Sequence, residues 1–511
     1  MEKQREYRLM QNRHVCIHAH FYQPPRENPW LEAIEVQDSA SPFHDWNARI
    51  SAECYRPNGL ARVLDGEGWV ARLSNNYARI SFNFGPTVLQ WMEHHDETAY
   101  KAILGGDRES RERFGGHGSA IAQVYNHIIM PLANRRDRET QVKWGLRDFE
   151  RRFGRTAEAM WLPETAVDTE TLEILADHGM KFVILAPRQA KSVRDPGQDW
   201  QDVTGEKIDP RQPYAVNLPG GKSIAAFFYD GPISKAVAFE GVLNNGGQFA
   251  SRLMQGFSDD DGPQLVHIAT DGESYGHHHR HGEMALAYAL DDIERNGKAE
   301  IVNYALYLEK FPPQREAEIY DNSSWSCVHG VGRWKEDCGC NSGMKPGWKQ
   351  GWRKPFREAM DCLRDRLAEP YERFMFPYTP DPWAMRDDYI NVILDRSPNN
   401  IQAFLSRWLK DAKKESQPVL KALEMQRNLM LVYTSCAWFF DEISGIETVQ
   451  NMQYAARAIE LAHETVGWDA ELQFLDILEK AKSNIPEQGS GKDIYQRFAL
   501  PARMEFPKIV A

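Results

Sequence analysis

Short apolar runs that end in polar side chains recur from residue 14 to about residue 325. They alternate with segments of helical spacing, which is typical of parallel β/α units. Each run is about seven residues long and almost continuously apolar, as expected of strands buried on both faces. Seven or so such units would close a barrel with its active site at the carboxyl ends of the strands. The runs are HVCIHAH, ARISFNF, AEAMWLP, KFVILAP, SIAAFFYD and QLVHIAT.

After about residue 350 the pattern changes to long amphipathic segments with helical spacing and few strand signals. We therefore expect two domains: residues 1–350, an α/β domain that ends in a Cys- and Trp-rich loop, and residues 351–511, a helical domain. The length of 511 residues agrees with more than one domain, because single cores stop growing at about 250 to 300 residues.

Charge and cysteine content narrow the function classes. A net charge of −12 argues against a nucleic-acid partner, which needs a concentrated basic surface, and a neutral ligand fits better. The first 20 residues contain no apolar signal core, and no stretch approaches membrane-spanning length. The number of cysteines, seven, is odd, and Cys16, Cys54, Cys362 and Cys436 are scattered, so a disulfide scaffold is not expected. These features predict a cytoplasmic protein with no membrane partner.

Two motifs carry candidate catalytic carboxylates. WLPET places Glu164 after an apolar run, beside Trp161 and Pro163, where it suits a nucleophile, although a helix-capping or surface glutamate explains the motif equally well. HIATDGESYGHHHRHGE delivers Asp271 and Glu273 into a glycine-flanked turn. Together with Glu164 they offer an acid/base pair.

Histidines accompany both motifs. His18 and His20 alternate with apolar residues in IHAHFYQPP, so both imidazoles point to the same side of a first strand. They suit either hydroxyl recognition or a two-histidine metal site. The run from His277 to His281 also contains metal-ligand types, but consecutive side chains point in different directions, and a polar lining is the preferred interpretation.

The three motifs together resemble family 57 of the glycoside hydrolases, with a His-rich strand near Gln-Pro, then Trp-x-x-Glu, then Asp-x-Glu. GHGSAIAQVYNHIIMPL, with His127, and TSCAWFFDE, with Trp438, are similar to two further regions of the family. Ala437 stands where the fifth region has Asp, and Asp441 or Glu442 is expected to compensate. The resemblance implies an incomplete (β/α)7 barrel, an α-helical C-terminal domain that completes the cleft, and a retaining mechanism on α-1,4 or α-1,6 glucan.

The resemblance also implies residue roles. Glu164 is expected to be the nucleophile and Asp271 the general acid/base, and no cofactor is expected to be required for catalysis. The expected substrate is an oligo- or polysaccharide α-glucan. The reaction would be transglycosylation or hydrolysis, as in a 4-α-glucanotransferase or α-amylase. Two rivals stay open: a metal-dependent carbohydrate deacetylase or hydrolase, and a catalytically weak glycan-binding protein. The expected substrate-binding residues are His18, His20, Gln23, His127, Trp161, Glu273, His277, Trp325, Trp438 and Asp441.

The Cys- and Trp-rich loop is not part of the common family pattern and resembles a subgroup with an uncharacterised C-terminal extension. Cys327 and His329 form one pair, and Cys338 and Cys340 form another. Tetrahedral zinc accepts such ligands, although the usual spacing leaves two to four residues between paired cysteines. The alternatives are a structural zinc site and a buried thiol cluster.

Overall fold

The computed structural model describes residues 12–504, without the side chains of residues 412–415. These residues form two compact units. The first contains the described start of the chain to Gln23, Val36–Gln123 and Phe149–Trp325. The second contains Pro24–Glu35, Val124–Asp148 and the chain from Ser326 to its described end. The assignment of domains to residues 1–350 and 351–511 stays a prediction.

The strands of the described chain all belong to the first unit. They are β1 (Arg13–Phe21), β2 (Ala61–Leu64), β3 (Val70–Ser74), β4 (Ser81–Phe84), β5 (Ala122–Gln123), β6 (Met160–Trp161), β7 (Phe182–Leu185), β8 (Ala190–Arg194), β9 (Gln201–Asp202), β10 (Tyr214–Asn217), β11 (Ser223–Phe228), β12 (Gln264–Asp271), β13 (Glu300–Ile301) and β14 (Arg315–Ile319).

Each of the apolar runs singled out in the sequence contains a strand, namely β1, β4, β6, β7, β11 or β12. Their side chains are buried on both faces: all four residues of β7 are buried, as are seven of the eight residues of β12. Continuous burial requires apolar residues on both sides of the sheet, which is the pattern in the sequence.

Parallel pairing joins these strands in one series. β12 and β4 both pair with β1, and β5 pairs with β6. The single parallel bridges Phe82↔Ala120 and Ala159↔Phe182 connect β4 towards β5 and β6 towards β7. β7 then pairs with β11. The order is therefore β12, β1, β4, β5, β6, β7, β11, and all the carboxyl ends lie on the same side.

The remaining strands extend this series. β13 pairs in parallel with the start of β1. β10, β14, β8 and β9 continue the sheet beyond β11, and β2 and β3 form a separate antiparallel hairpin. Helices of the first unit are found at Trp46–Ile50, Arg56–Gly59, Pro86–His95, Glu97–Arg113, Thr169–Asp177, Gly231–Phe239, Gly246–Met254, Gly282–Arg295 and Tyr304–Lys310.

Within the described range, the second unit has helices and no strand, so the prediction of a helical C-terminal region after an α/β region is confirmed. Every helix of residues 12–504 is too short or too polar to cross a membrane. The helices are Arg135–Phe153, of which residues 149–153 belong to the first unit, Arg353–Met375, Pro382–Asp388, Ile390–Leu394, Pro398–Trp408, Ala412–Leu431, Cys436–Phe439, Ile446–Thr465, Glu471–Leu478 and Gly491–Ile494.

Candidate active site

Glu164 occupies a strained turn just after the carboxyl end of β6. Its φ is 58°, and that of Thr165 is 50°, so two consecutive residues that are not glycine adopt the left-handed conformation. This conformation is costly for any residue with a Cβ, and most of all for a β-branched threonine. Backbone strain of this kind persists only where surrounding contacts impose it, and it concentrates at functional sites.

Gln189 imposes the turn. It is fully buried, its Oε1 accepts a hydrogen bond from Thr165 Oγ1 at 2.8 Å, and its Nε2 donates to the Thr165 carbonyl at 2.8 Å and to Ser323 Oγ at 3.1 Å. The backbone N–H of Trp325 donates to the Glu164 carbonyl at 3.0 Å. These bonds fix the direction in which the Glu164 side chain leaves the backbone.

Trp325 also contacts the Glu164 carboxylate. Its indole Nε1 donates to Glu164 Oε2 at 3.0 Å. A donor aimed at a carboxylate stabilises the ionised form and holds its orientation. The Trp325 ring is half-buried and meets the Trp161 ring edge to face, with centroids 5.2 Å apart. The predicted substrate-binding residue thus lies against the predicted nucleophile.

Two neutral imidazoles from β1 lie beside Trp161 in the same site. His18 and His20 stack on Trp161 with ring centroids 4.9 and 4.8 Å away. Asn83 at the end of β4 bridges them, since its Oδ1 lies 3.1 Å from His18 Nε2 and 3.3 Å from His20 Nδ1. Burial lowers the pKa of each imidazole to about 3, so both are uncharged at neutral pH.

Asp271 ends β12 and is the register partner of His20 on β1. Its side chain reaches solvent, but desolvation by the surrounding protein raises its pKa, and the negative charge of Glu164 raises it further, to about 7. Because the charge of Glu164 contributes to this shift, the two carboxyl groups lie close enough to interact, and we assign them to one site.

Glu273 is a second carboxyl near Asp271, and it is buried. Its Oε1 accepts hydrogen bonds from the Tyr22 N–H at 3.0 Å and from the Tyr55 hydroxyl at 2.5 Å. Burial and the neighbouring charge of Asp271 raise the pKa of Glu273 to about 8. Gln23, next along the chain, is half-buried and its Nε2 donates to the Tyr22 carbonyl at 3.0 Å.

The histidines of the run from His277 to His281 do not point to a common centre. His277 Nδ1 pairs with Glu53, His279 Nε2 donates to the Ala238 carbonyl at 3.1 Å, and His281 starts the helix Gly282–Arg295 with a left-handed backbone. Within residues 12–504, the one group of three or more His, Cys, Asp or Glu side chains that come close enough to bind a metal is Cys327, His329, Cys338 and Cys340. This argues against a metal site built from His18, His20 and Asp271.

Three predicted substrate-binding residues belong to the second unit. His127 is buried, with Nδ1 2.6 Å from Ser435 Oγ. Trp438 is buried against Phe356, with ring centroids 4.7 Å apart, and its Nε1 donates to the Arg353 carbonyl. Asp441 is buried and accepts two hydrogen bonds from Ser342. Their roles in substrate binding stay predictions.

Sequence reasoning missed three residues of this site. Gln189 holds the strained turn, Tyr55 donates to Glu273, and Tyr229, directly after β11, lies with its ring centroid 6.3 Å from that of Trp325. Tyr229 lies near the end of the run SIAAFFYD, so attention to polar residues at the ends of the runs would have found it. Asp230, next to it, caps the helix Gly231–Phe239.

Comparison with protein families agrees with this geometry. The model of glycosyl hydrolase family 57 matches residues 79–320, which include Glu164 and Asp271. Residues 348–511 match a domain of unknown function, DUF3536, which follows the residues matched by the family 57 model.

Curated relatives match part of the chain. The 4-alpha-glucanotransferase of Thermococcus litoralis is 22% identical over 260 residues, which are 48% of this chain and 36% of the relative. The alpha-amylase of Pyrococcus horikoshii is 22% identical over 260 residues, 48% of this chain and 37% of the relative. The match spans little more than a third of the length of each relative.

Solved structures show the same fold over a greater length. An exo-type maltose-forming amylase from Pyrococcus sp. ST04 has a TM-score of 0.68 at 17% identity and covers 96% of this chain and 92% of its own. The family 57 branching enzyme of Pyrococcus horikoshii has a TM-score of 0.54 at 16% identity, with 96% and 97% covered. These likenesses extend past the residues matched by the family 57 model into the helical C-terminal region.

Proposed function

We propose that this chain is a cytoplasmic retaining α-glucan-active enzyme, of the 4-α-glucanotransferase or α-amylase type, with Glu164 as nucleophile and Asp271 as general acid/base. The observation that carries the proposal is the pKa of Asp271, raised to about 7 by desolvation and by the charge of Glu164. Paired carboxyls with separated pKa values are the requirement of this chemistry, since one must be ionised and the other protonated. The names of the relatives support glucan as the substrate class.

The fold supports this assignment. We infer that the series β12, β1, β4, β5, β6, β7, β11 is the incomplete (β/α)7 barrel. Glu164 follows the carboxyl end of β6, and Asp271 ends β12. In β/α barrels that edge holds the catalytic residues.

The chemical steps follow from the two carboxyls. A Glu164 oxygen attacks the anomeric carbon as the bond to the glycosidic oxygen breaks, and Asp271 gives its proton to that oxygen. The Asp271 carboxylate then takes a proton from water, giving hydrolysis, or from a sugar hydroxyl, giving transglycosylation. In either case the bond between Glu164 and the sugar breaks and the α configuration is restored. A retaining mechanism requires the two carboxyl groups to be about 5 to 5.5 Å apart, closer than in an inverting enzyme.

Product analysis tests the substrate class. Wild-type protein is incubated with maltoheptaose and with amylose, with and without a chelator, and the products are separated by chromatography. Redistribution to longer and shorter chains indicates a transferase, and shortening alone indicates a hydrolase. An unchanged glucan under all conditions would contradict the proposal, and activity lost only with chelator would favour the metal-dependent rival.

The pH dependence should reveal Asp271. Its protonated form is needed for departure of a sugar leaving group, so kcat/KM on glucan should fall as the pH rises through about 7, with the slope of one proton. An α-maltosyl fluoride needs no proton for fluoride departure, and its glycosylation step should not show this fall. The same basic limb on both substrates would contradict the assignment.

The variant Trp325→Phe should show whether Trp325 positions the Glu164 carboxylate or only binds the sugar. The variant loses the donor to Glu164 Oε2 but keeps an aromatic ring. Because a hydrogen bond to a charged group contributes about 1.5 to 3 kcal/mol, we expect kcat to fall about 10- to 100-fold with little change in KM. Trp200→Phe, at an exposed ring packed on Arg194, is the matched control and should behave as wild type. A change in KM alone would show that Trp325 only binds sugar.

A further inference from the structure

Four metal-ligand side chains converge in the loop of the second unit that begins at Ser326. The Cys327, Cys338 and Cys340 sulfurs and a His329 ring nitrogen all lie within 4.8 Å of one another. Cys327 is buried, whereas His329 is exposed. The cluster has no part in the proposed glucan chemistry, so the inference is independent of it.

Three of the six distances between the ligand atoms match those of a tetrahedral metal site. With zinc–sulfur bonds of about 2.3 Å and zinc–nitrogen bonds of about 2.0 to 2.1 Å, tetrahedral geometry puts sulfurs about 3.8 Å apart and sulfur about 3.5 Å from nitrogen. Cys327 Sγ lies 3.8 Å from Cys338 Sγ and 3.7 Å from Cys340 Sγ. Cys340 Sγ lies 3.5 Å from His329 Nδ1. A disulfide would bring two sulfurs to about 2.05 Å.

Glycines make the narrow ligand spacing feasible. Gly339, between Cys338 and Cys340, has φ of 79°, and Gly330 after His329 has φ of 75°. A Cβ on Gly332 would lie 3.0 Å from the Cys338 Cβ, so a larger residue there would press on this cysteine. These turns let pairs with one intervening residue face a common centre.

Backbone N–H groups point at the sulfurs. Those of Arg333 and His329 donate to the Cys327 sulfur, and that of Val328 donates to the Cys340 sulfur. Hydrogen bonds to the ligand atoms are the usual outer shell of a metal site, where they orient the ligands and delocalise thiolate charge.

We propose that Cys327, His329, Cys338 and Cys340 bind one zinc ion that crosslinks this loop. All four positions of a tetrahedron are filled by protein, which is the arrangement of a structural site. Between β14 and the helix Arg353–Met375 the only helical element of the described chain is the short turn Gly332–Trp334, so regular hydrogen bonding contributes little there. A metal crosslink stabilises such a segment.

Several hydrogen bonds attach the crosslinked loop to the rest of the second unit, and two residues, Arg353 and Asp441, make those nearest the cluster. Arg353 Nη1 donates to the Cys340 carbonyl at 2.6 Å. Asp441 accepts from the Ser342 N–H and from its hydroxyl, both at 2.8 Å. Metal loss should therefore loosen the segment around Asp441 and lower the melting temperature of the protein.

Metal content tests the site. Full-length protein produced with added zinc is analysed by inductively coupled plasma mass spectrometry, and we expect one zinc per chain. Cys338→Ser and Cys340→Ser should lose most of it. His329→Cys should retain it by supplying a fourth thiolate, whereas His329→Ala should bind it more weakly. Cys362→Ser, at a free cysteine on the helix Arg353–Met375, is the matched control and should keep the full content.

A second measurement uses only the wild-type protein, so it tests the site even if the variants fail to fold. Wild-type protein freed of zinc and loaded with Co²⁺ should show the visible bands of a tetrahedral thiolate site, and zinc should displace them. The proposal is overturned if wild type carries no zinc and gives no such spectrum, if peptide mapping finds a disulfide among the three cysteines, or if Cys362→Ser loses as much zinc as Cys338→Ser.

Discussion

Glu164→Gln is expected to abolish activity on glucan, with a loss of about 10⁴-fold or more in kcat, as is found when a covalent nucleophile is removed. The amide is almost the same size as the carboxylate, so the turn held by Gln189 and Trp325 is kept. Because it cannot form the glycosyl-enzyme, activity on α-maltosyl fluoride should be lost as well. The measurement is the initial rate on both substrates.

Glu170→Gln is the matched control, since the same change of charge is made on the helix Thr169–Asp177 nearby. It should leave the rate within a few-fold of wild type. Glu164→Ala opens space for a small anion, and with azide and the fluoride it should yield the β-glycosyl azide, formed by attack on the face that Glu164 normally occupies. Retention of activity in Glu164→Gln would contradict the role of nucleophile.

Asp271→Asn is expected to reduce the rate on glucan by about 10² to 10⁴-fold, the usual contribution of general acid catalysis. The asparagine has no proton to give to the leaving oxygen. Fluoride departs without that proton, so the glycosylation of Glu164 by α-maltosyl fluoride should be largely spared. Added azide should then release the α-glycosyl azide from the glycosyl-enzyme.

Thermal melting distinguishes this effect from misfolding. The pKa of Asp271 is raised from an unfolded value of about 3.9 to about 7, so its ionisation opposes folding progressively as the pH rises between these values. Asp271→Asn removes that penalty and should melt higher than wild type at pH 8 but not at pH 4. Equal loss of activity on glucan and on fluoride would contradict the acid/base role.

The strands and their polar ends were predictable from the sequence. Continuous apolar runs give buried strands, and the rule that parallel strands end on the same side placed Glu164, Asp271 and His20 together. The electrostatic interaction between the two carboxyl groups could not be predicted from the sequence. It depends on the relative positions of β6 and β12, which are set by the pairing of other strands that are distant in sequence.

The turn at Glu164 shows why local sequence was insufficient. Pro-Glu-Thr contains no glycine, and its local preferences do not favour a left-handed conformation. The conformation is imposed by Gln189, 24 residues later, and by Trp325, 161 residues later. Trp325 itself was expected to stack on sugar, and its hydrogen bond to Glu164 had no signal in the sequence.

In the Cys/His loop, a spacing rule based on sequence underrates a cluster that the structure brings together. The spacing of Cys338 and Cys340 departs from the usual zinc pattern, and a sequence rule therefore ranks it low. Gly339 between them has a left-handed backbone, which lets both cysteines face the same centre despite the short spacing. The histidine run also contains metal-ligand residue types, but His277 contacts Glu53, His279 contacts a carbonyl and His281 starts a helix, so residue types alone do not indicate a metal site there.

Peptide mapping of a trapped intermediate tests the central claim most directly. Asp271→Asn is incubated with α-maltosyl fluoride, quenched in acid, digested and analysed by mass spectrometry. Without its base, the variant should accumulate a maltosyl group, and the added mass should lie on Glu164. An adduct on another residue, or a variant that turns over the fluoride with inversion and no adduct, would contradict a retaining mechanism through Glu164.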